Sequence, residues 1–275
     1  MNYLLGQKIA IVSSKPQTTR HKQLGILTRE DAQIVFVDTP GLHEPRNALG
    51  QYMVDTAANA LLDAEVVLCI VDVSEAPTTG DVRLMQLVRE KPGIAPVLLV
   101  MNKMDRLKPE NVLAFTNAYR ELLPEAKWYL ISAETGDNVE DLLTALVAAL
   151  PEGPALYPED EVTQTHLRDL AAEFIREAAL NALEQEVPHG IAVEIDLFQE
   201  RPNQLTYIAA TVYVERESHK AIVIGKGGSK LKVIGTKARY AIAGLLDQKV
   251  YLELHVKTRK DWRQDVNEVQ RLGYK

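Results

Sequence analysis

Pro96-Val97-Leu98-Leu99-Val100-Met101-Asn102-Lys103-Met104-Asp105, PVLLVMNKMD, is the stretch on which the reading of this chain turns. Val97 to Val100 is an apolar, partly β-branched run of the kind that forms a strand buried on both faces of a parallel sheet, and Asn102 to Asp105 falls where that strand ends. In open α/β sheets, ligands collect at that edge. A carboxylate there accepts from both N1-H and the exocyclic amine of guanine, whereas adenine offers neither donor in that place, so Asp105 selects the base by hydrogen-bond complementarity. Asn102 can bond the purine edge, and the Lys103 stem can cover a ring face.

Outward from this strand the chain alternates. Val66 to Val73 predicts another buried strand, and Leu24 to Leu27 and Ile34 to Val37 predict two more around the charged turn Thr28-Arg29-Glu30-Asp31. The last of these runs into Asp38-Thr39-Pro40-Gly41-Leu42. An aspartate at a strand end suits a metal role, and Gly41 lets a backbone N-H come close to a terminal phosphate. Upstream, Lys8 to Val12 reads as a short strand, and in the polar loop Ser13 to His21 the adjacent hydroxyls of Thr18 and Thr19 can reach a phosphate or a Mg²⁺ ion. Met1 to Gly6 reads as the last turns of a helix with a glycine stop.

Helical spacing predicts helices over Tyr52–Leu62, Asp81–Arg89, Glu110–Leu123 and Val139–Leu150, the last capped by Asp137 or Asn138. Lys127 to Ile131 predicts a strand, followed by the loop Ser132-Ala133-Glu134-Thr135-Gly136, where the small Ala133 lets backbone N-H groups approach the base. Strands alternating with helices over residues 1–150 describe one parallel-sheet domain.

The chain of 275 residues is long enough for two domains, and its 46% apolar and 25% charged residues are ordinary for a water-soluble protein. A net charge of -7 argues against nucleic-acid binding by the whole surface. Cys69 is the only cysteine and lies in an apolar run, so it reads as a buried thiol in a reducing cytosol. No stretch approaches the roughly 18 apolar residues of a membrane span, and the first residues do not read as a signal peptide.

Residues 151–160, with three prolines and one glycine, predict the linker. Residues 161–275 then change order: a helix over Leu167–Glu186, strands Ile191–Phe198 and Tyr207–Val214, a segment Ala221–Lys230 that enters a helix through the basic turn Gly225-Lys226-Gly227-Gly228, another helix Thr236–Leu246 and a strand Lys249–Lys257. This is the α-β-β-α-α-β order of a type II KH domain, whose GxxG turn lets a nucleic-acid backbone lie close. Seven Lys or Arg against one acid between Arg216 and Tyr240 make a focused positive face on an acidic chain. His255 and the tail Lys257 to Arg263, with its one aromatic Trp262, are expected to add RNA contacts.

Gln17-Thr18-Thr19-Arg20-His21, Asp38-Thr39-Pro40-Gly41-Leu42, Asn102-Lys103-Met104-Asp105, Ser132-Ala133-Glu134-Thr135-Gly136 and Gly225-Lys226-Gly227-Gly228 together resemble the Era family of bacterial ribosome-assembly GTPases over essentially the whole chain. The resemblance implies a P-loop-NTPase-like α/β domain followed by an α+β KH domain, a cytoplasmic monomer using GTP/GDP and Mg²⁺, binding to 16S ribosomal RNA near its 3′ end during 30S subunit assembly, and peripheral association with the cytoplasmic membrane. It implies that Thr18 or Thr19 ligates Mg²⁺, with Asp38 as the metal partner and Gly41 as the γ-phosphate sensor. It places Asp38, Thr39, Pro40, Gly41, Leu42, Asn102, Lys103, Asp105, Ser132 and Ala133 around the nucleotide. Leu42 stands where many small GTPases have a water-orienting glutamine, which implies slow intrinsic hydrolysis. Ile224, Gly225, Lys226, Gly227, Gly228, Ser229 and Lys230 are carried over to the RNA groove.

There is one large departure. Family members begin with a strand and a GxxxxGKS phosphate loop, whereas Met1 to Ile9 matches only the tail of the helix after it, and no GxxxxGK[ST] occurs in these 275 residues. The sequence therefore reads as an N-terminally truncated form in which guanine is read but phosphates are poorly held and neighbouring strand edges are exposed. Two other readings are weighed: a KH-domain RNA adaptor with impaired nucleotide binding, and a nucleotidase with Asp38 and Asp72 as metal ligands.

Overall fold

A computed structural model describes residues 1–15, 17–41, 44–90 and 95–274. Helix α1 (Asn2–Leu5) stops at Gly6, whose φ of 62° is the left-handed conformation glycine adopts without a steric cost. α1 lies on strand β1 (Gln23–Thr28) at Gly25, where a Cβ would stand 2.6 Å from Met1 Sδ. Lys8 to Val12 is not a strand. Side chains satisfy its backbone: Asn2 accepts from the N-H of Ile9 and Ala10 and donates to Ala10 O, Gln23 donates to Ile9 O, and Glu177 accepts from the N-H of Val12. The apolar residues that suggested a strand are Ile9 and Ile11, both buried, and Ile11 belongs to the core of the second half of the molecule.

β1 pairs antiparallel with β2 (Gln33–Asp38) as a hairpin. Strands β3 (Val67–Asp72), β4 (Val97–Asn102) and β5 (Lys127–Leu130) form a separate parallel sheet in the order β3-β4-β5. No strand joins β2 to β3 among the described residues. Ile34 of the hairpin instead packs into the cluster of Leu98, Val100 and Ile131, while Val37 and Ile70 stay exposed at 39% and 56%. Helices α2 (Ala48–Ala60), α3 (Thr79–Glu90), α4 (Val112–Leu122) and α5 (Val139–Ala149) complete this half. β4 is buried on both faces, as the sequence predicts: Leu99 and Met101 turn to one core cluster, Leu98 and Val100 to the other. The N-cap of α5, Asn138, makes no capping bond; its amide donates to Leu130 O and its backbone is left-handed at φ 58°.

The second half runs α6 (Leu167–Ala182), β6 (Ala192–Arg201), β7 (Leu205–Val214), α7 (Glu217–Ile224), α8 (Ser229–Leu246), β8 (Lys249–Thr258) and α9 (Val266–Arg271). β6 and β7 are antiparallel, with an irregularity between Ile195 and Leu197, and β7 and β8 are parallel. The helices cover one sheet face through Phe174, Ile234 and Ile242 against Ile208, Val212 and Val256.

Two seams hold the halves together. Gln33 of β2 accepts from the N-H groups of Leu156 and Tyr157 and donates to Tyr157 O, and Ile26 N donates to Val162 O, so the linker is laced to the hairpin. At the second seam, Leu49 and Met53 of α2 meet Tyr213, Trp262 and Tyr274. Each such buried side chain contributes about 1.5–3 kcal/mol. Trp262 is completely buried and donates to Gly190 O, Arg263 pairs with Glu215, and Arg259 pairs with Glu268. The expectation that the tail's aromatic and arginines contact RNA is therefore corrected: an apolar ring beside an apolar helix is buried against it, and the arginines neutralise local acids.

Candidate nucleotide and RNA sites

Because β4 and β5 are adjacent and parallel, the two loops that follow them emerge side by side. Asn102 Oδ1 accepts from Ala133 N at 2.9 Å, Asp105 Oδ1 accepts from Ser132 Oγ at 2.6 Å, and Met104 N donates to Ile131 O. Ser132 is buried, and its hydroxyl oxygen also accepts from the N-H groups of Glu134 and Thr135. The Asp105 carboxylate is thus aimed by a hydroxyl that is itself fixed, with 20% of its side chain still open. Lys103 sits at φ 67° and its Nζ pairs with Asp72 Oδ2 at 2.5 Å, which stretches the stem along the edge of the site. Burial pushes the Asp72 carboxyl up, but its bonds from Lys103 and Ser74 outweigh that and hold it below the usual carboxylate range. That engagement removes Asp72 from the metal role weighed for a nucleotidase.

At the other end Thr19 Oγ1 lies 3.3 Å from Asp38 Oδ2, whereas the Thr18 hydroxyl donates to Lys15 O at 2.6 Å. Of the two threonines, Thr19 is the one brought to the aspartate. Burial pushes the Asp38 carboxyl above the usual range, and the Thr19 hydroxyl offsets this only in part, so a cation would relieve that carboxylate. Among the described residues no three His, Cys, Asp or Glu converge on one point. Two protein oxygens, with phosphate and water supplying the rest, are what Mg²⁺ takes at nucleotide sites, so Thr19 and Asp38 fit it. Thr39 is half-buried, Pro40 buried and Gly41 exposed beyond them; Leu42 lies outside the described residues. The residues present fit guanine and the metal but include no GxxxxGK[ST] cradle for the β- and γ-phosphates.

In the second half α7 ends at Ile224, and Gly225-Lys226-Gly227-Gly228 turns the chain into α8, which begins with Ser229 and Lys230. Gly225 has to be glycine, since a Cβ there would stand 2.8 Å from Lys230 Cβ and 2.9 Å from Lys230 N. Gly227 and Gly228, at φ 59° and 79°, leave open space above the turn. From this turn a groove of about 330 Å³ runs between α8 and β8, floored by Leu252 and Leu254 and rimmed by Lys232 and Arg239. An apolar floor with a basic rim suits bases on one side and phosphates on the other. Lys232 and Arg239 belong to the positive face read from the sequence, whereas the β8 leucines are not among the groove residues expected from the motif, because only the fold brings β8 alongside α8.

The first half's loop and the second half also meet through a buried polar cluster. His21 stacks on Tyr274 with ring centroids 4.5 Å apart, and its Nδ1 lies 3.4 Å from Tyr52 Oη. Burial lowers its pKa below the ordinary 6.5, and the favourable field of Glu173 does not restore it. The unfolded chain therefore binds this proton more readily, and stability is complete above about pH 6.5 and falls as pH drops through the depressed folded value. His189 is lowered in the same sense. Urea midpoints measured from pH 7.5 to 5 should decline across that window, and His21→Gln should flatten the decline; an equally steep decline in the variant would show that His21 is not its source.

Residues 1–103 match the family model of the 50S ribosome-binding GTPases, and residues 186–263 match that of the KH domain. Over 275 residues the chain is 42% identical to GTPase Era of Ruminiclostridium cellulolyticum, covering 100% of this chain and 92% of the relative. The chain belongs to the Era family of GTPases. GTPase Era of Alkaliphilus metalliredigens is 43% identical over 281 residues, with the same two coverages. Among solved structures, Era in complex with MgGDPNP and nucleotides 1506–1542 of 16S ribosomal RNA superposes with a TM-score of 0.93 at 39% identity, covering 99% of this chain and 92% of that one. A variant of Aquifex aeolicus Era bound to GDP·AlF4⁻ gives 0.93 and 39%, covering 99% and 93%.

Proposed function

We propose that this chain selects guanine nucleotides with its first half, binds single-stranded RNA of the 16S 3′ region with its second, and serves 30S subunit assembly. The division proposed is residues 1–150 for nucleotide, 151–160 as linker and 161–275 for RNA. The observation that carries the reading is the fixed carboxylate: Asp105, held by Ser132, presents an acceptor pair to a purine between two loops already tied by Asn102 and Ala133. Mg²⁺ held by Thr19 and Asp38 would neutralise phosphate charge; Gly41 leaves its backbone N-H unshielded by a side chain; the groove at Gly225 to Lys230 lays out RNA. The proposal extends to a cytoplasmic monomer in peripheral contact with the cytoplasmic membrane, which rests on the resemblance alone. No helix among the described residues is long and apolar enough to cross one.

A second reading, an RNA adaptor with impaired nucleotide binding, rests on the basic-rimmed groove at the glycine turn, which needs no nucleotide to take RNA. Titrating the chain with fluorescent GDP, fluorescent ADP and an RNA of the 16S 3′-end sequence separates them. Guanine preferred over adenine by about 100-fold or more, together with RNA binding, is the expected result. RNA binding without base preference would leave the adaptor; neither would sink both.

A further inference from the structure

The polar loop carrying Thr19 is attached to the RNA-binding half by two arginines that point in opposite directions. Arg20, from the first half, donates to Ile191 O at 2.6 Å and His189 O at 2.8 Å and reaches Tyr274 Oη at 3.3 Å. Arg176, from α6 of the second half, donates back to Thr18 O. Both side chains are 1% exposed. Thr19, between Thr18 and Arg20, is thereby held from both sides by bonds that cross the domain boundary. Just upstream of the loop, Glu177 of α6 takes Lys8 at 2.5 Å and the N-H of Val12 at 2.7 Å.

The chemistry shows why this joint is selective. Among the described residues no carboxylate pairs directly with Arg20, though the Glu173 charge acts on it; two carbonyls, a hydroxyl and the Trp262 ring at 5.9 Å surround it. A buried guanidinium held by neutral groups adds little stability and tolerates few geometries, since separation of the halves would expose it or strand it unbonded. Arg176 keeps its charge partner, Glu173, at 2.5 Å on the same helix, so its bond to Thr18 O is a second task for a guanidinium already oriented. Moving α6 by about one ångström breaks or bends the Arg176 bond to Thr18 O.

We propose that Arg20 and Arg176 form a reciprocal clamp through which the RNA-binding half positions Thr19 against Asp38, and that these two side chains carry whatever influence RNA and Mg²⁺-nucleotide have on each other's binding. Arg176 is a positioning residue: it touches neither base, phosphate nor metal. The proposal rests on the nucleotide and RNA reading above. Because coupling between binding sites is reciprocal, RNA should change affinity for Mg²⁺-GDP by the same factor that Mg²⁺-GDP changes affinity for RNA.

The test uses the full chain, Arg176→Lys, which keeps a charge beside Glu173 but lacks the fork needed to reach Thr18 O as well, and the double variant Glu173→Gln with Arg176→Met, which removes the charge pair together. Two readouts are taken: backbone hydrogen exchange at Thr18 to His21, and affinity for fluorescent Mg²⁺-GDP with and without RNA of the 16S 3′-end sequence. Without any ligand, exchange in that loop should accelerate about tenfold or more in both variants while the β7 amides keep their protection. With RNA, wild type should shift Mg²⁺-GDP affinity by about fivefold or more, and the variants by less than about twofold, each retaining wild-type affinity for the RNA. Unchanged loop exchange in folded variants overturns the clamp, as does full coupling in Arg176→Lys. A wild type that binds neither GDP nor RNA defeats the functional reading instead, and the ligand-free exchange still decides the clamp.

Discussion

Asp105→Asn should reverse the base preference of the first half, lowering affinity for GDP by about 100-fold or more while raising it for xanthosine diphosphate. Ser132 Oγ donates to Asp105 Oδ1 at 2.6 Å and would fix an asparagine in the same rotamer with its oxygen toward the serine. The amide NH2 then faces the exocyclic amine of guanine, donor against donor, where the carboxylate had offered a charged acceptor. A hydrogen bond to a charged group is worth about 1.5–3 kcal/mol, and a repelled, unsatisfied donor adds a further penalty, which together reach the stated factor. Xanthine carries a carbonyl at that position and accepts from the amide. Competition of fluorescent GDP by GDP, XDP and ADP measures all three; unaltered GDP competition would mean that Asp105 does not meet the base.

The second large effect belongs to the other half. Gly227→Asp together with Gly228→Asp should cut RNA affinity by about 100-fold or more at roughly 0.1 M salt, because two carboxylates would meet the phosphates that the bare turn admits. Both positions have room, with nothing within 4 Å of an added Cβ, so the cost to the fold is limited to left-handed backbone, about 1–2 kcal/mol each and least for Asn and Asp. Fluorescent GDP binding should be unchanged. Gly225 is the wrong probe, since its side chain would strike Lys230 and any loss could be blamed on the turn itself. RNA retained at wild-type affinity by the double variant would move the RNA site away from this groove.

What the sequence reveals and what it hides follows from the range of the interactions. β4 is legible because burial on both faces needs an unbroken apolar run, and Asp105 because a strand end and a base-reading carboxylate are five residues of local pattern. The α-β-β-α-α-β order is legible for the same reason, each element declaring its own period. Lys8 to Val12 misleads because Ile11 is buried by the core of the second half, while the side chains of Asn2, Gln23 and Glu177 satisfy the backbone. Trp262 misleads likewise: an aromatic in a basic tail looks available until α2 is found beneath it. Arg20 stands inside a motif quoted for its threonines, and nothing local says that its guanidinium ends on the carbonyls of His189 and Ile191.

The lacing of the linker by Gln33 has a mechanical meaning. A proline-rich tether would ordinarily let two globules swivel, but here one glutamine amide grips two successive peptide N-H groups and one carbonyl of that tether. With the tether riveted to the hairpin, and with the α2 seam and the Arg20 and Arg176 bonds beside it, the molecule should tumble with one correlation time, and any swing of one body against the other has to undo all of these.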